Sequence, residues 1–276
     1  MGTAVRWTTD LGGGFRVTLL RTGSRRVDAG SLFGPVPRML WSRLVTDELD
    51  GGHRVELALN ALLVETPEGS VLVDPGTRGA DADPGIAAAL SDAGTTPEAI
   101  GAVVLTHLHH DHAGALLAAD GSPAFRHARV VAQRREWAAA ARVNARIAEV
   151  YDQPVLRALA AGAAGDAPDG DATVQPGVEL LLTGGYTTGH QAVLVRAPGA
   201  TPVAFLGDLL MRPWQANPRW ITAFDDFPLD AVRVKAELFA RAADERWTVV
   251  LSHEPGAAVG RLVPDRDRFR FEPLSD

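Results

Sequence analysis

The feature that most limits what this chain can fold into is a histidine-rich string directly after a short apolar run. Ala102 to Leu105 is typical of a buried strand, and four of the eight histidines, at positions 107, 109, 110 and 112, follow it. Residues two apart in an extended backbone point to one side, so His107 and His109 can bind one ion. Asp111 and His112 lie where a helix can begin and can turn towards a second ion. Imidazole nitrogens and a carboxylate at this spacing predict a site for Zn²⁺ or a similar transition ion.

Three more polar side chains stand at or just past the ends of apolar, strand-like runs. They are His190, Asp208 and His253. A charged or imidazole group in such a place usually has a partner, so we expect these side chains to converge on a common edge. His53 and His127 lie in polar, turn-like settings, and no role is assigned to them.

Composition narrows the classes of partner. The chain has no cysteine, so thiolate metal sites and disulfides are excluded, and any metal must be held by histidines and carboxylates. The net charge of −7 argues against a nucleic-acid partner and favours a small-molecule substrate. The N-terminus lacks the pattern of a secretory signal and no run of about 18 apolar residues occurs. We therefore expect no membrane partner and a cytoplasmic location.

The order of apolar runs and turn residues predicts one α/β domain over residues 1–276. Two strand-rich halves, each with helices, indicate sheets packed together and covered outside by helices. Segment 23–50 is expected near the active site, and Ser31 to Leu44 within it is predicted to be a loop. The remaining predicted elements are strands at Phe15–Leu20, Val55–Val64, Val71–Val73, Arg129–Ala132, Val178–Leu182, Ala192–Val195, Val203–Leu206 and Trp247–Leu251, helices at Pro84–Ala93 (capped by Asp83), Arg134–Ile147 and Pro228–Arg246, and an exposed loop at Ala160–Pro176.

The string from Thr106 to Gly114, with the three downstream residues and the turn Asp74-Pro75-Gly76, resembles the signature of metallo-β-lactamase-fold hydrolases. The resemblance implies an αββα sandwich with a dinuclear metal site at the sheet edge. Carried over to this chain, it implies two divalent ions, expected to be zinc, with Asp208 binding both and Asp74 orienting the ligand loops. His110 is the filler position of the motif and is expected to pack beside the ligands. The implied ligands are His107, His109 and His190 for the first ion, and Asp111, His112 and His253 for the second.

A narrower resemblance connects the chain to quorum-quenching lactonases, which open the ring of N-acyl-homoserine lactones. It rests on Phe33–Pro37 with Leu40–Ser42, on Gly207–Leu210, on Gln215–Pro218 and on Phe224–Pro228. The chain departs from that branch in three places. Tyr186 stands where a histidine is usual, Glu254 where aspartate is frequent, and the stretch after Asp208 lacks a tyrosine that some lactonases place there.

The expected reaction is hydrolysis of a lactone ester by a hydroxide that bridges the two metals. Asp111, Asp208 and Tyr186 are the candidate catalytic residues: Asp208 holds the ion pair, Asp111 orients the nucleophile or shuttles a proton, and Tyr186 either binds the carbonyl or packs its loop. Five large apolar side chains either line an acyl pocket or pack loops against the sandwich. They are Phe33, Trp41, Met211, Trp214 and Trp220.

Other functions and other metals are consistent with the same site. The same metals could serve a thioesterase or a hydrolase of organophosphate or aryl esters, or could be structural only. Mn²⁺, Fe²⁺ and Co²⁺ fit the ligand types as well as Zn²⁺ does. The N-terminal segment could cover either the pocket or the second chain of a homodimer.

Overall fold

Two β-sheets lie face to face with helices on their outer sides, so the layers run α, β, β, α. A computed structural model describes residues 3–142, 148–159 and 167–274. In the described part of the chain the first sheet has six strands in the order 1-2-3-4-5-6, and the second has seven in the order 13-12-11-10-9-8-7, when the strands are numbered along the chain. The expected αββα sandwich is confirmed.

The strands of the first sheet are β1 (Val5–Gly12), β2 (Phe15–Asp28), β3 (Arg54–Thr66), β4 (Gly69–Val73), β5 (Ile100–Val104) and β6 (Arg129–Val131). Those of the second are β7 (Ala172–Gln175), β8 (Val178–Leu182), β9 (Gln191–Val195), β10 (Val203–Phe205), β11 (Thr248–Val250), β12 (Val259–Asp265) and β13 (Arg268–Pro273). The α-helices are α1 (Ala29–Phe33), α2 (Arg38–Val45), α3 (Ile86–Asp92), α4 (His110–Ala113), α5 (Arg134–Ala140), α6 (Gln153–Ala158) and α7 (Pro228–Asp244).

Alternating side chains build the two apolar layers. In β2 and β3, Val17 and Leu62 belong to the cluster shared by both sheets, whereas Leu20 and Leu63 belong to a second cluster with Leu90 of α3. Neighbouring residues of a strand point to opposite faces, so one strand supplies both layers. Because both faces of these strands are covered, their sequences are almost continuously apolar.

Two pairs of parallel strands position the functional edge. Strand β4 runs parallel to β5 in the first sheet, and β10 runs parallel to β11 in the second. The carboxyl ends of parallel neighbours meet at one edge. Asp74 and His107 follow the first pair, and Asp208 and His253 follow the second. The polar residues that the sequence placed after separate strands therefore share one edge of the sandwich.

The predicted loop at Ser31–Leu44 is wrong, because the last three residues of α1 and all of α2 except Val45 lie within it. The carboxylate of Asp28 accepts a hydrogen bond from the backbone N–H of Ser31 and caps α1. Gly34, at φ 48°, then ends that helix, and Pro37 precedes α2. Two short helices separated by Gly-Pro-Val-Pro do not produce the long periodic pattern by which helices are recognised.

Other boundaries shift by less. The helix predicted from Pro84 begins at Ile86 with Gly85 as its N-cap residue, so the predicted cap at Asp83 is wrong. The helix predicted over Arg134–Ile147 is α5, which ends at Ala140; residues 143–147 lie outside the described residues. The predicted loop Ala160–Pro176 contains β7, and its residues 160–166 also lie outside the described residues.

Among the described helices none is both long and apolar enough to cross a membrane.

Candidate metal centre

The histidine string turns from an extended segment into a short helix. After β5 ends at Val104, His109 still has extended backbone angles, and α4 begins at His110. The backbone N–H of His112 bonds to the carbonyl of His109 at 3.1 Å. This turn packs the rings of His107 and His109 4.4 Å apart and those of His107 and His112 4.2 Å apart.

Three imidazole nitrogens in this cluster are buried without a hydrogen-bond partner. They are the Nε2 atoms of His107, His109 and His112. An unpartnered buried polar atom is costly, and three together are not explained by packing. Imidazole nitrogens grouped beside carboxylates are the donor set that zinc takes, so these residues fit a metal ion.

The potential ligand atoms fall into two groups. His107, His109 and Asp208 form one, and Asp111, His112 and His253 form the other, with the ligand atoms of each group within 4.8 Å of one another. These groups contain six of the seven predicted ligands.

Asp208 lies between the two groups. Its Oδ2 is 3.8 Å from Nε2 of His107. Its Oδ1 is 3.2 Å from Nε2 of His112 and 3.0 Å from Nε2 of His253. One carboxylate therefore presents an oxygen to each group, as a bridging ligand would.

The seventh predicted ligand, His190, lies beside the first group but is not a member of it. Its ring centroid is 5.5 Å from that of His107, and its Nε2 accepts a hydrogen bond from the backbone N–H of Asp208 at 3.2 Å. Gly207 makes this approach possible, because a Cβ there would lie 2.6 Å from Nε2 of His190. His190, which the family resemblance assigned to the first ion, thus directs its Nε2 at the backbone of Asp208.

Hydrogen bonds to the Nδ1 atoms direct the opposite ring nitrogens inwards. His112 Nδ1 lies 2.7 Å from Oδ2 of Asp74, and His253 Nδ1 lies 2.7 Å from the carbonyl of Ala58. A carbonyl only accepts, so Nδ1 of His253 carries a proton, and its Nε2 is the ring nitrogen that faces Asp208. Asp74 also accepts from the backbone N–H of Thr106 at 2.8 Å and from its hydroxyl at 2.6 Å. Asp74 therefore fastens the start of the string to its last histidine.

The site attracts positive charge. Burial lowers the pKa of His109 to about 4 and that of His190 to about 3. Both imidazole rings are therefore uncharged near pH 7. Burial would also lower the pKa of His112, but the carboxylates of Asp208 and Asp74 raise it well above its ordinary value. For Asp208, burial opposes ionisation, yet the neighbouring His112 and His253 hold its pKa well below the usual range.

Glu136, a residue that the sequence reasoning missed, connects the histidine string to the loop that carries His190. Its carboxylate is buried and accepts hydrogen bonds from the N–H of Leu108 at 3.2 Å, the N–H of Gly189 at 3.1 Å and the hydroxyl of Thr187 at 2.7 Å. Leu108 lies between two histidines of the string, and Gly189 precedes His190. The only sequence signal was an acidic residue in the first turn of a predicted helix, which normally indicates a solvated helix end.

A cavity of about 40 Å³ opens onto these ligands. Of the five predicted substrate-binding residues, Met211 lines this cavity. Tyr186, a candidate catalytic residue, lines it too. Tyr186 is 2 % exposed, and burial together with Asp208 raises the pKa of its hydroxyl well above the ordinary value. The lining residues are Arg25, Val27, Leu32, Leu57, His109, His110, Asp111, Val150, Tyr186, Asp208, Met211, Phe224 and His253. Segment 23–50 thus contributes three of them.

The other four predicted substrate-binding residues pack against one another instead. Phe33 stacks on Trp41 with ring centroids 5.0 Å apart, and it contacts Trp214 at 5.2 Å and Trp220 at 5.8 Å. Phe33 is fully buried. None of these four rings is among the residues that line the cavity over the ligands. Their large apolar surfaces hold α1 and α2 against the loop that follows Asp208.

Comparisons with known proteins agree with this geometry. The model of the metallo-beta-lactamase superfamily matches residues 54–253. An N-acyl homoserine lactonase of a Bacillus species is 30% identical over 193 residues, which cover 62% of this chain and 72% of that protein. The N-acyl homoserine lactonase AttM of Agrobacterium fabrum strain C58 is 28% identical over 219 residues, covering 76% of this chain and 77% of that protein.

A solved structure supports the fold over nearly the whole chain. It is that of AidC, a dizinc quorum-quenching lactonase in complex with a product, with a TM-score of 0.88, 19% identity, and coverage of 99% of this chain and 98% of that one. The family model spans the region from β3 to His253 and so includes every predicted metal ligand. On this match, and on the paired ligand groups at the sheet edge, the chain belongs to the metallo-beta-lactamase superfamily.

Proposed function

We propose that this chain is a zinc-dependent ester hydrolase that opens the ring of a lactone, with N-acyl-homoserine lactones as its substrates. The observation that carries the proposal is the position of Asp208, whose two carboxylate oxygens face separate groups of ligand atoms. Two divalent ions, when bound, lower the pKa of water and draw electron density from an ester carbonyl. Two relatives that are 28–30% identical to this chain in sequence are named N-acyl homoserine lactonases.

The protein residues hold and orient the reacting groups. Asp111 lines the cavity, and its pKa is lowered to about 2, since His112 and His253 outweigh the opposing effect of burial. It is therefore ionised near pH 7, and its carboxylate can accept a hydrogen bond from a group bound in the cavity. Tyr186 retains its proton because its pKa is raised by burial. Its hydroxyl can then donate a hydrogen bond to the carbonyl oxygen of the ester.

The cavity lining favours a neutral substrate. Six lining residues are apolar: Val27, Leu32, Leu57, Val150, Met211 and Phe224. Among the described lining residues Arg25 is the single Lys or Arg. A phosphoester or a thioester with a polyanionic carrier would need more positive charge than one guanidinium supplies. An uncharged acyl lactone needs only apolar contact and a few hydrogen bonds.

The test is ring opening of N-acyl-homoserine lactones with acyl chains of several lengths, followed by acid release, with zinc-loaded protein. A thioester and an aryl phosphoester are assayed in parallel. We expect lactone opening with a kcat/KM well above that for either alternative, and its loss in His109→Ala. Zinc-replete protein that cleaves the thioester or the phosphoester but no lactone would contradict the proposed substrate class.

A further inference from the structure

We propose that Arg25 is a specificity-determining residue that, with His110, binds a hydrogen-bond-accepting oxygen of the substrate outside the ring that opens. The amide oxygen or a 3-oxo oxygen of an acylated lactone has this chemistry. The inference rests on the proposed lactone hydrolysis and adds to it a reason why an acyl-amide lactone is preferred to a plain alkyl lactone.

Strand pairing places Arg25 in the cavity wall. Arg25 of β2 lies directly opposite Leu57 of β3, and opposed residues of paired strands point to the same side. Both residues line the cavity, as does Val27, two positions further along β2. The backbone of Arg25 is thus held by the strand pairing of the first sheet and not by a loop. Its side chain is 29% exposed, so it is reachable from solvent but mostly enclosed.

The contacts of Arg25 leave donors available for a ligand. Its Nη1 lies 2.9 Å from Nε2 of His110 and 3.5 Å from Oδ2 of Asp111. A guanidinium has five N–H groups, and within the described residues the others make no hydrogen bond to protein. Because a guanidinium cannot accept, Nε2 of His110 must be the acceptor, and the proton of that ring lies on Nδ1. The pair therefore offers hydrogen-bond donors and no free acceptor.

An apolar wall makes such donors selective. The neighbouring lining residues Val27, Leu32 and Leu57 offer no competing polar group. A charge-assisted hydrogen bond is about twice as strong as a neutral one, and its strength increases where water is excluded. A substrate oxygen placed here gains that bond, whereas an alkyl chain placed here covers the guanidinium and forms no hydrogen bond in return. The chemistry of this wall thus favours a substrate with a carbonyl next to the lactone ring.

A different role for Arg25 would be to position Asp111. Nη1 of Arg25 lies 3.5 Å from the carboxylate of Asp111 but only 2.9 Å from Nε2 of His110. A positioning role predicts equal losses for all substrates together with weaker metal binding. A substrate-binding role predicts unequal losses with metal content retained.

The experiment compares kcat/KM for N-octanoyl-homoserine lactone with that for an alkyl γ-lactone of similar length. It uses zinc-loaded wild type, Arg25→Met and Arg25→Lys. The matched control is Arg26→Met, because Arg26 is the next residue of β2, is 45% exposed and pairs with Asp50 at 3.6 Å. Zinc content and the melting temperature are measured for every variant.

We expect the ratio of the two kcat/KM values to fall by about 10- to 100-fold in Arg25→Met, the range for one hydrogen bond to a charged group. Arg25→Lys should fall in between, and Arg26→Met should match wild type. An unchanged ratio in active Arg25→Met, or equal losses accompanied by loss of zinc, would overturn the inference and leave the proposed function intact. A zinc-loaded wild type that opens neither lactone would overturn both.

Discussion

The carboxylate of Asp74 lies 2.7 Å from Nδ1 of His112, and Nε2 of the same ring lies 3.2 Å from Asp208. The imidazole of His112 thus connects Asp74, which follows a strand of the first sheet, with Asp208, which follows a strand of the second sheet. A carboxylate on the outer nitrogen of a metal-binding histidine sets its tautomer and raises its basicity. Asp74 thereby acts on the metal centre without facing it.

Replacing Asp74 with alanine should weaken metal binding more than it weakens the fold. We expect about a 10- to 100-fold loss of zinc affinity, measured by competition with a chelator, because His112 loses the partner that fixes its ring. The control is Asp267→Asn, since Asp267 pairs with Arg219 on the surface. An Asp74→Ala protein with wild-type zinc affinity would show that the contact does not matter for the ligand.

Glu136→Gln tests the buried carboxylate that connects the two loops. It accepts three hydrogen bonds, from Leu108, Thr187 and Gly189. A glutamine amide points N–H groups at one of these donors, so we expect a loss of about 1–3 kcal/mol in the free energy of unfolding and weaker binding of one of the two zinc ions. Urea unfolding and chelator titration measure the two effects.

The control for Glu136 is Glu179→Gln, because Glu179 is a partly exposed residue that pairs with Arg196 at 3.4 Å. Equal loss of both zinc ions from Glu136→Gln would instead indicate general disruption of the site.

Arg212 is a buried cation whose removal should destabilise the fold strongly. Its guanidinium bonds to Glu254 at 2.7 Å and to the carbonyl of Glu56 at 2.7 Å, pairs with Glu48, and lies 4.2 Å from the ring centroid of Trp214. Breaking a buried pair from one side leaves an uncompensated charge, at a cost of about 3–5 kcal/mol. Urea unfolding of Arg212→Ala should show a loss of this size.

The comparison for Arg212 is Arg219→Ala, which removes an exposed ion pair with Asp267. Pairs of that kind contribute about 0–1 kcal/mol. Similar losses in the two variants would mean that the buried cluster is no stronger than the surface pair.

Lys235 makes stability depend on pH in the alkaline range. It is 2 % exposed, and burial lowers the pKa of its ammonium from 10.5 to about 8. Between these values the unfolded chain binds more protons than the folded one, so stability rises with pH in that window, by up to about 1.4 kcal/mol per pH unit. Below about pH 8 the cost of burying the charge is fully present.

The measurement for Lys235 is urea unfolding of wild type and Lys235→Met at several pH values from 7 to 10. The variant lacks the titrating group, so the difference wild type minus variant should increase as the pH rises. A difference that stays constant across this range would contradict the shifted pKa.

Much of the site could be predicted from sequence because its ligands are local or follow recognisable strands. The string from His107 to His112 needs only strand and helix periodicity to place its ligands. Glu136 and Arg212 could not be found in this way. Their partners are contributed by segments far apart in the chain, and a lone acidic or basic residue in a helix or turn is ordinarily solvated.

The aromatic residues show a second limit of sequence reasoning. Phe33, Trp41, Trp214 and Trp220 were candidates for a substrate pocket because they lie in segments predicted to be loops, where large apolar side chains are otherwise hard to explain. Their mutual stacking depends on α1 and α2, two helices too short to be recognised by periodicity. β1 was also missed, since its burial alternates between half-buried and exposed and its sequence contains few apolar residues.

We expect two zinc ions, one at each of the two ligand groups that Asp208 connects, to be needed together for ester hydrolysis. The most direct test is titration of metal-free protein with zinc while the rate of N-acyl-homoserine lactone opening is followed. The rate should rise until two equivalents of zinc are bound, and Asp208→Ala should lower both the stoichiometry and the rate. Full activity at one equivalent, or none with two zinc ions bound, would contradict this expectation.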